Sequence, residues 1–239
     1  MKTKSVYTIS MFLIFFFSTT ILFGSMMGQE NKEKRDVGNF EEIGLGVAAD
    51  LYLKQGSTTE VIIEAKEEIL KKLKTEVKNG KLYIGFDSKK SFNYPRFKIY
   101  ITTPDINGLS VSGSGDIIAE TAVSTDEISL KISGSGDINI DNLQAKKVLA
   151  GISGSGNIYL GGSNLDYLEI GISGSGNLKA EKLPTEDFQG RISGSGSCRI
   201  NVKSTLKASI SGSGRIHYSG NPLIDASISG SGKVISTEL

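Results

Sequence analysis

The tetrapeptide Ser-Gly-Ser-Gly occurs seven times in this chain, beginning at Ser112, Ser133, Ser153, Ser173, Ser193, Ser211 and Ser229. Successive copies lie 21, 20, 20, 20, 18 and 18 residues apart. A near-constant period of this size marks an architecture of stacked units, each too small to bury its own apolar face. Before each tetrapeptide alternate residues are apolar, as in Ile128, Leu130 and Ile132, or Leu168, Ile170 and Ile172. After it the alternation resumes on the same parity, as in Ile138 and Ile140, or Ile158 and Leu160. Period-two alternation means a strand with one buried face. The repeat therefore reads as strand, glycine corner, strand and variable connection. Asp141–Gln144 and Leu183–Glu186 are examples of the connection.

The expected fold is all-β: a parallel β-helix, or β-solenoid, of about seven coils over residues 109–239. A sandwich of alternating hairpins explains identical corners at constant period less well. In each corner both glycines fall on the inward parity and both serines on the outward one. Stacked coils about 4.8 Å apart then bring equivalent serines into two hydroxyl columns, roughly 30 Å long.

Residues 1–28 read as a signal peptide: Lys2 and Lys4 precede an apolar run from Val6 to Phe23, then small residues up to Gly28. A retained membrane anchor is the other reading, but the run is short for a span. The expected location is the periplasm, the cell envelope or the exterior. The only cysteine is Cys198, far from the cleavage region, so neither a lipid-modified cysteine anchor nor an internal disulfide is expected. The chain has 27 basic and 26 acidic residues, and losing Lys2 and Lys4 keeps it near neutrality. No field or basic-aromatic cluster is present to attract nucleic acid. Residues 29–39 are polar and read as a flexible lead-in.

Residues 40–108 lack the tetrapeptide but remain strand-like. Leu51–Leu53, Val61–Ile63, Leu82–Ile84 and Phe97–Ile101 are the candidate strands. Lys54–Ser57 and Lys78–Lys81 are the candidate turns between them. Glu67–Lys74 is the one helical stretch, with Ile69, Leu70 and Leu73 on one face; it is expected to cover an end of the solenoid or to pack on the local sheet.

Three stretches in order carry a family resemblance: Phe40–Ile43 into Asp50–Gly56, then Leu73–Ile84, then Tyr100–Pro104 into Leu109–Asp116. The chain resembles the secreted bacterial head-GIN-domain proteins, known as putative autotransporter adhesins. The resemblance implies a β-helical fold on the cell envelope and brings no catalytic residues with it. It departs in one respect: no run of amphipathic membrane strands follows Gly232, where an autotransporter barrel is expected.

No catalytic, cofactor or metal site is expected. The Gly-Ser-Gly-Asp runs ending at Asp116 and Asp137 are similar to calcium-binding repeats. In later coils the aspartate position holds Asn157, Asn177, Ser197, Arg215 and Lys233, which cannot line an ion column. His217 is the only histidine and has no partners at ligand spacing. Cys198 falls on the inward parity and reads as a small buried hydrophobe. The most regular polar surface is the serine array: Ser133 and Ser135, Ser153 and Ser155, Ser173 and Ser175, Ser193 and Ser195. Turn chemistry is its first reading, contact with a glycan or cell-surface protein the second, and ice binding a distant third. The chain is expected to be a non-catalytic binding or structural module. The alternative is a polysaccharide-active enzyme on the same scaffold, recognised by paired carboxylates in a groove. The last coil, with Ile224, Ala226, Ile228 and Val234, lacks a covering unit in sequence, so self-association through the C-terminal coil or cover by a partner chain is expected, the alternative being that the tail from Ser236 to Leu239 folds back as a plug. The charge difference between the two ends favours a head-to-tail contact over a same-end one.

Overall fold

The computed structural model describes residues 30–86 and 93–237. The signal-peptide reading of residues 1–28 lies outside them. Among the described residues no helix is long and apolar enough to cross a membrane.

The chain opens with β1 (Asn31–Arg35), β2 (Glu42–Leu45), β3 (Ala49–Gln55) and β4 (Glu60–Ala65), followed by helix α1 (Glu67–Lys72). Strands β5 (Leu73–Lys78), β6 (Lys81–Phe86) and β7 (Phe97–Thr103) come next. The repeats then supply β8 (Gly108–Val111), β9 (Asp116–Ala119), β10 (Val123–Ser124), β11 (Glu127–Ile132), β12 (Ile138–Gln144), β13 (Lys147–Ile152) and β14 (Asn157–Gly162). The last are β15 (Leu165–Gly174), β16 (Asn177–Gly194), β17 (Ser197–Gly212), β18 (Arg215–Ser219), β19 (Leu223–Gly230) and β20 (Lys233–Ser236).

The coils stack as the period predicts. One wall joins β8, β11, β13, β15, the second halves of β16 and β17, and β19, all parallel. The opposite wall joins β9, β12, β14, the first halves of β16 and β17, then β18 and β20. The inward columns are continuous. Ile117, Ile138, Ile158, Leu178, Cys198 and Ile216 pair in register, each 0 % exposed. Cys198 is one of these packing residues, and burial pushes its thiol pKa up to about 12, which makes it a poor nucleophile.

The expected connections are partly strand. Asp141–Gln144 belongs to β12 and Leu183–Glu186 to β16. Length differences between coils are absorbed by register shifts, one between Ile140 and Leu143 and another between Ala180 and Pro184. Pro184 is tolerated because it sits at such an irregularity.

The segment without the tetrapeptide builds a coil of its own. Strand β2 pairs in parallel with β8 (Leu45 opposite Val111), and β3 with β9 (Asp50 opposite Asp116). That register puts Gly46-Val47-Ala48-Ala49 in the corner position of Ser112–Gly115. Below it, β6 pairs in parallel with β2, and β7 with β3. Antiparallel pairing then closes the end: β5 on β6, β4 on β7, and β1 on β4. The expected Lys78–Lys81 turn joins β5 to β6, with Asn79 at φ 50° and Gly80 at φ 75°, the positive pair of a type I′ hairpin.

Residues 31–35 are a strand rather than part of a flexible lead-in. β4 leaves an open edge, and β1 pairs with it while aligning Lys32 with Glu64 (3.5 Å) and Lys34 with Glu60 (2.8 Å). A short, charged strand is a suitable terminus for a sheet because it discourages further pairing. Arg35 also donates to the carbonyl of Leu70 at 2.6 Å, satisfying a helix-end acceptor. Ile69, Leu70 and Leu73 are buried at this end of the stack.

Candidate functional site: corner, ladder and groove

Each corner is held by backbone stacked on backbone. The N–H of Ser135 donates to Gly113 O (3.1 Å), that of Ser155 to Gly134 O (3.1 Å), and that of Ser175 to Gly154 O (3.0 Å). The glycines make this approach possible. A Cβ on Gly154 would lie 2.2 Å from Gly134 O, and one on Gly156 would lie 2.0 Å from Gly136 O. The obstacle at Gly154 is thus the neighbouring corner rather than the apolar interior. Gly154 is only half-buried, whereas Gly156 is buried and would also meet Ile132.

The serines do not perform the turn chemistry expected of them. The hydroxyls of Ser133, Ser135, Ser153, Ser155, Ser173, Ser175, Ser193 and Ser195 make no hydrogen bond to any described residue. The corner N–H groups are taken by carbonyls of the preceding coil, so the hydroxyls face solvent and both serine positions are exposed.

The position after the corner carries the ladder instead. Asp116 Oδ1 accepts from the N–H of Asp137 (2.8 Å), and Asp137 Oδ1 accepts from Asn157 N (2.7 Å) and Nδ2 (2.9 Å). Asn177 Nδ2 donates to Asn157 Oδ1 (2.8 Å), and Ser197 Oγ donates to Asn177 Oδ1 (2.7 Å). At its start Arg96 bridges Asp50 and Asp116, each at 2.6 Å. These residue types supply acceptors that tie one coil to the next. Replacing Asp137 by Ala is expected to lower stability by about 1–2 kcal/mol while leaving the chain folded. Chelator is expected to leave both melting temperatures unchanged. A calcium-induced rise that Asp137→Ala abolishes would contradict this assignment. Among the described residues no three His, Cys, Asp or Glu side chains are grouped to hold a metal.

The two serine columns differ in their surroundings. The first column, Ser112 through Ser211, borders a groove of about 1100 Å³ along the outer face of the β8–β17 wall. The second serines do not line it. Its floor is the outward position two residues before the first serine: Gly44, Ser110, Lys131, Gly151, Gly171, Arg191 and Ser209 stack in register. Gly151 and Gly171 are required neither by packing nor by backbone conformation. A Cβ on either would meet nothing within 4 Å, and neither has a left-handed φ. They lower the floor where a side chain would fill it.

Tyr83, 48 % exposed, and Phe86 stand at the N-terminal end of the groove. Lys81, Lys131 and Arg191 line it, and among the described residues no carboxylate does. Two of these cations have partners just outside, Arg191 with Glu169 (3.5 Å) and Lys81 with Glu42 (3.9 Å), while Lys131 has no ion pair among the described residues. Sequence reasoning found the hydroxyl column but missed the floor. The available signal was glycine on the outward parity of a strand, far from any corner.

A solenoid with a long groove on one wall and a repeated, unsatisfied polar column presents an extended surface of the kind that stacked-repeat proteins offer to ligands. The sequence profile of the family described as "putative auto-transporter adhesin, head GIN domain" matches residues 39–222, and the chain belongs to that family. The solved structure of a putative adhesin from Bacteroides fragilis is similar at TM-score 0.83 and 27 % identity, covering 87 % of this chain and 97 % of its own. A putative lipid binding protein from Parabacteroides distasonis shares the fold at TM-score 0.74 and 24 % identity, covering 89 % and 98 % of the two chains. A putative adhesin from Parabacteroides merdae does so at 0.72 and 22 %, with 89 % and 98 % covered. No curated protein matches the chain.

Proposed function

We propose that this protein is a non-catalytic adhesin of the cell envelope whose contact surface is the groove beside the first serine column, and that its ligand is an extended glycan. The observation that carries this reading is the free hydroxyl column along a groove with two unforced glycines in its floor. A polysaccharide chain lying along the stack meets a hydroxyl in every coil, at intervals of about 4.8 Å. Tyr83 offers an exposed ring for the apolar face of a sugar. The family's naming as an auto-transporter adhesin supports a surface or secreted location. A cell-surface protein is the other partner class. Binding is favoured over polysaccharide cleavage because hydrolysis needs two carboxyl groups flanking the scissile bond, and among the described residues none lines the groove. The test is adhesion of protein-coated beads to glycan-bearing surfaces, with release of reducing ends followed in the same samples. Glycan-dependent adhesion without cleavage supports the proposal. Cleavage at a steady rate would favour the enzyme, and adhesion only to protein surfaces would favour a protein partner.

Self-association is proposed separately, through the C-terminal coil. Ile224 and Ile228 lie in the inward columns of β19 yet are 46 % and 43 % exposed, beside Leu223 at 80 %. Sedimentation of the mature chain is expected to show a concentration-dependent larger species that Ile224→Glu with Ile228→Glu abolishes. A strict monomer at high concentration would rule this out.

A further inference from the structure

Over much of the molecule cations are matched by carboxylates, as in Lys34–Glu60, Lys54–Glu120, Lys146–Asp126 and Lys147–Glu127. The last coils break this pattern. From Ser197 to Thr237 the chain has five basic residues, Arg199, Lys203, Lys207, Arg215 and Lys233, against one acidic residue, Asp225, and among the described residues only Lys203 has a carboxylate partner, Glu186 of the preceding coil (3.1 Å). Three of the five gather on the wall opposite the groove. Arg215 stacks on Ser197 and faces Lys233 directly across the strands, while Arg199 lies between Lys179 and His217 in the adjoining outward column. Arg199, Arg215 and Lys233 are exposed and have no ion pair among the described residues. Among the described residues Lys179 has only the Tyr159 ring, 4.7 Å from its Nζ.

Stability does not explain this arrangement. Like charges directly opposite on neighbouring strands repel. The column that holds Arg215 and Lys233 is the one that carries the hydrogen-bonded ladder in earlier coils, and neither side chain can accept a bond from the next coil. The cations lie on a flat sheet face, spread over about 10–15 Å in steps of about 4.8 Å, and none of them lines the groove. A flat cation array matches a layer of anions better than one enclosed ligand. Ile235, partly exposed, aligns with His217 in the same outward column. An apolar side chain among cations suits the headgroup boundary of a membrane, whereas a nucleic acid or a polyanionic sugar has no use for it.

We propose that this wall docks on an anionic membrane surface through phosphate-bearing lipid headgroups. The groove, on the opposite wall, stays open to its own ligand, so the two surfaces are independent. The test is flotation of the full mature chain with vesicles of phosphatidylcholine alone or mixed with phosphatidylglycerol. The chain is expected to float only with anionic vesicles and to be released by high salt. Arg199→Ser, Arg215→Ser and Lys233→Ser are each expected to weaken binding about fivefold. Lys78→Ser, at the other end of the stack, is expected to leave it unchanged, and none of the four variants is expected to lower the unfolding midpoint appreciably. Equal flotation with neutral vesicles, or unchanged binding by the three variants, would overturn the proposal. Release by inorganic phosphate too dilute to screen charge would assign the patch to a free phosphate ligand instead. Capture of a sulfated polysaccharide with no vesicle binding would overturn it as well.

Discussion

Alanine at Gly136 or Gly156 is expected to lower stability by about 3–5 kcal/mol, while alanine at Gly151 or Gly171 in the same coils raises it by about 0.5–1 kcal/mol. The sign is set by what the new Cβ meets. At Gly136 it would lie 1.8 Å from the carbonyl oxygen of Gly115, and at Gly156 it would lie 2.0 Å from that of Gly136. Both obstacles are backbone, and moving one coil away from the other breaks parallel pairing on both walls. At Gly151 and Gly171 the Cβ enters open space on an extended strand, where alanine restricts the unfolded chain more than glycine does. Urea midpoints of the four variants check this. Equal effects at all four positions would mean that the corner contact does not limit the stack.

The second large effect is expected in the core at Phe188. Phe188 pairs with Leu168 and Leu206 in one inward column, and Gly190 pairs with Ile170 and Ala208 in the next. The large and small residues compensate: a Cβ on Gly190 would lie 2.7 Å from the Phe188 ring. Phe188→Ala is expected to lower stability by about 3–5 kcal/mol. Gly190→Ala alone is expected to lower it by about 1–3 kcal/mol through overpacking. Phe188→Leu with Gly190→Ala should be more stable than the sum of Phe188→Leu alone and Gly190→Ala alone predicts, because the pair share one space. Strict additivity in denaturant melts would contradict the compensation.

Such pairs show where the sequence can be read and where it cannot. The inward columns were visible because parity and period are local: Ile138, Ile158 and Leu178 each stand five residues after the first serine of their corner. The coil through Gly46–Ala49 was not, because its corner lacks the tetrapeptide and its partners lie 66 residues away, at Val111 and Asp116. β1 was hidden for a related reason: Asn31–Arg35 is polar, and only the open edge of β4 makes it a strand. The Asp-Asn-Ser column was visible as a column but not as a ladder, since a ladder depends on the direction of side chains between coils. The groove was missed because an outward glycine signals nothing until the neighbouring columns of serine and cations are placed beside it.

The central claim is that the tetrapeptide builds the stack while recognition occurs in the groove beside its first serine. Its most direct test compares three folded variants in the bead-adhesion measurement. The first is Gly171→Trp, which fills the groove floor. The second replaces Ser133, Ser153, Ser173 and Ser193 by alanine, and the third does the same to Ser135, Ser155, Ser175 and Ser195. Adhesion is expected to be abolished in the first, reduced at least tenfold in the second and retained in the third, on the estimate of about 0.5–1.5 kcal/mol for each lost hydrogen bond. Full adhesion by Gly171→Trp, or equal losses from the two serine columns, would contradict the claim.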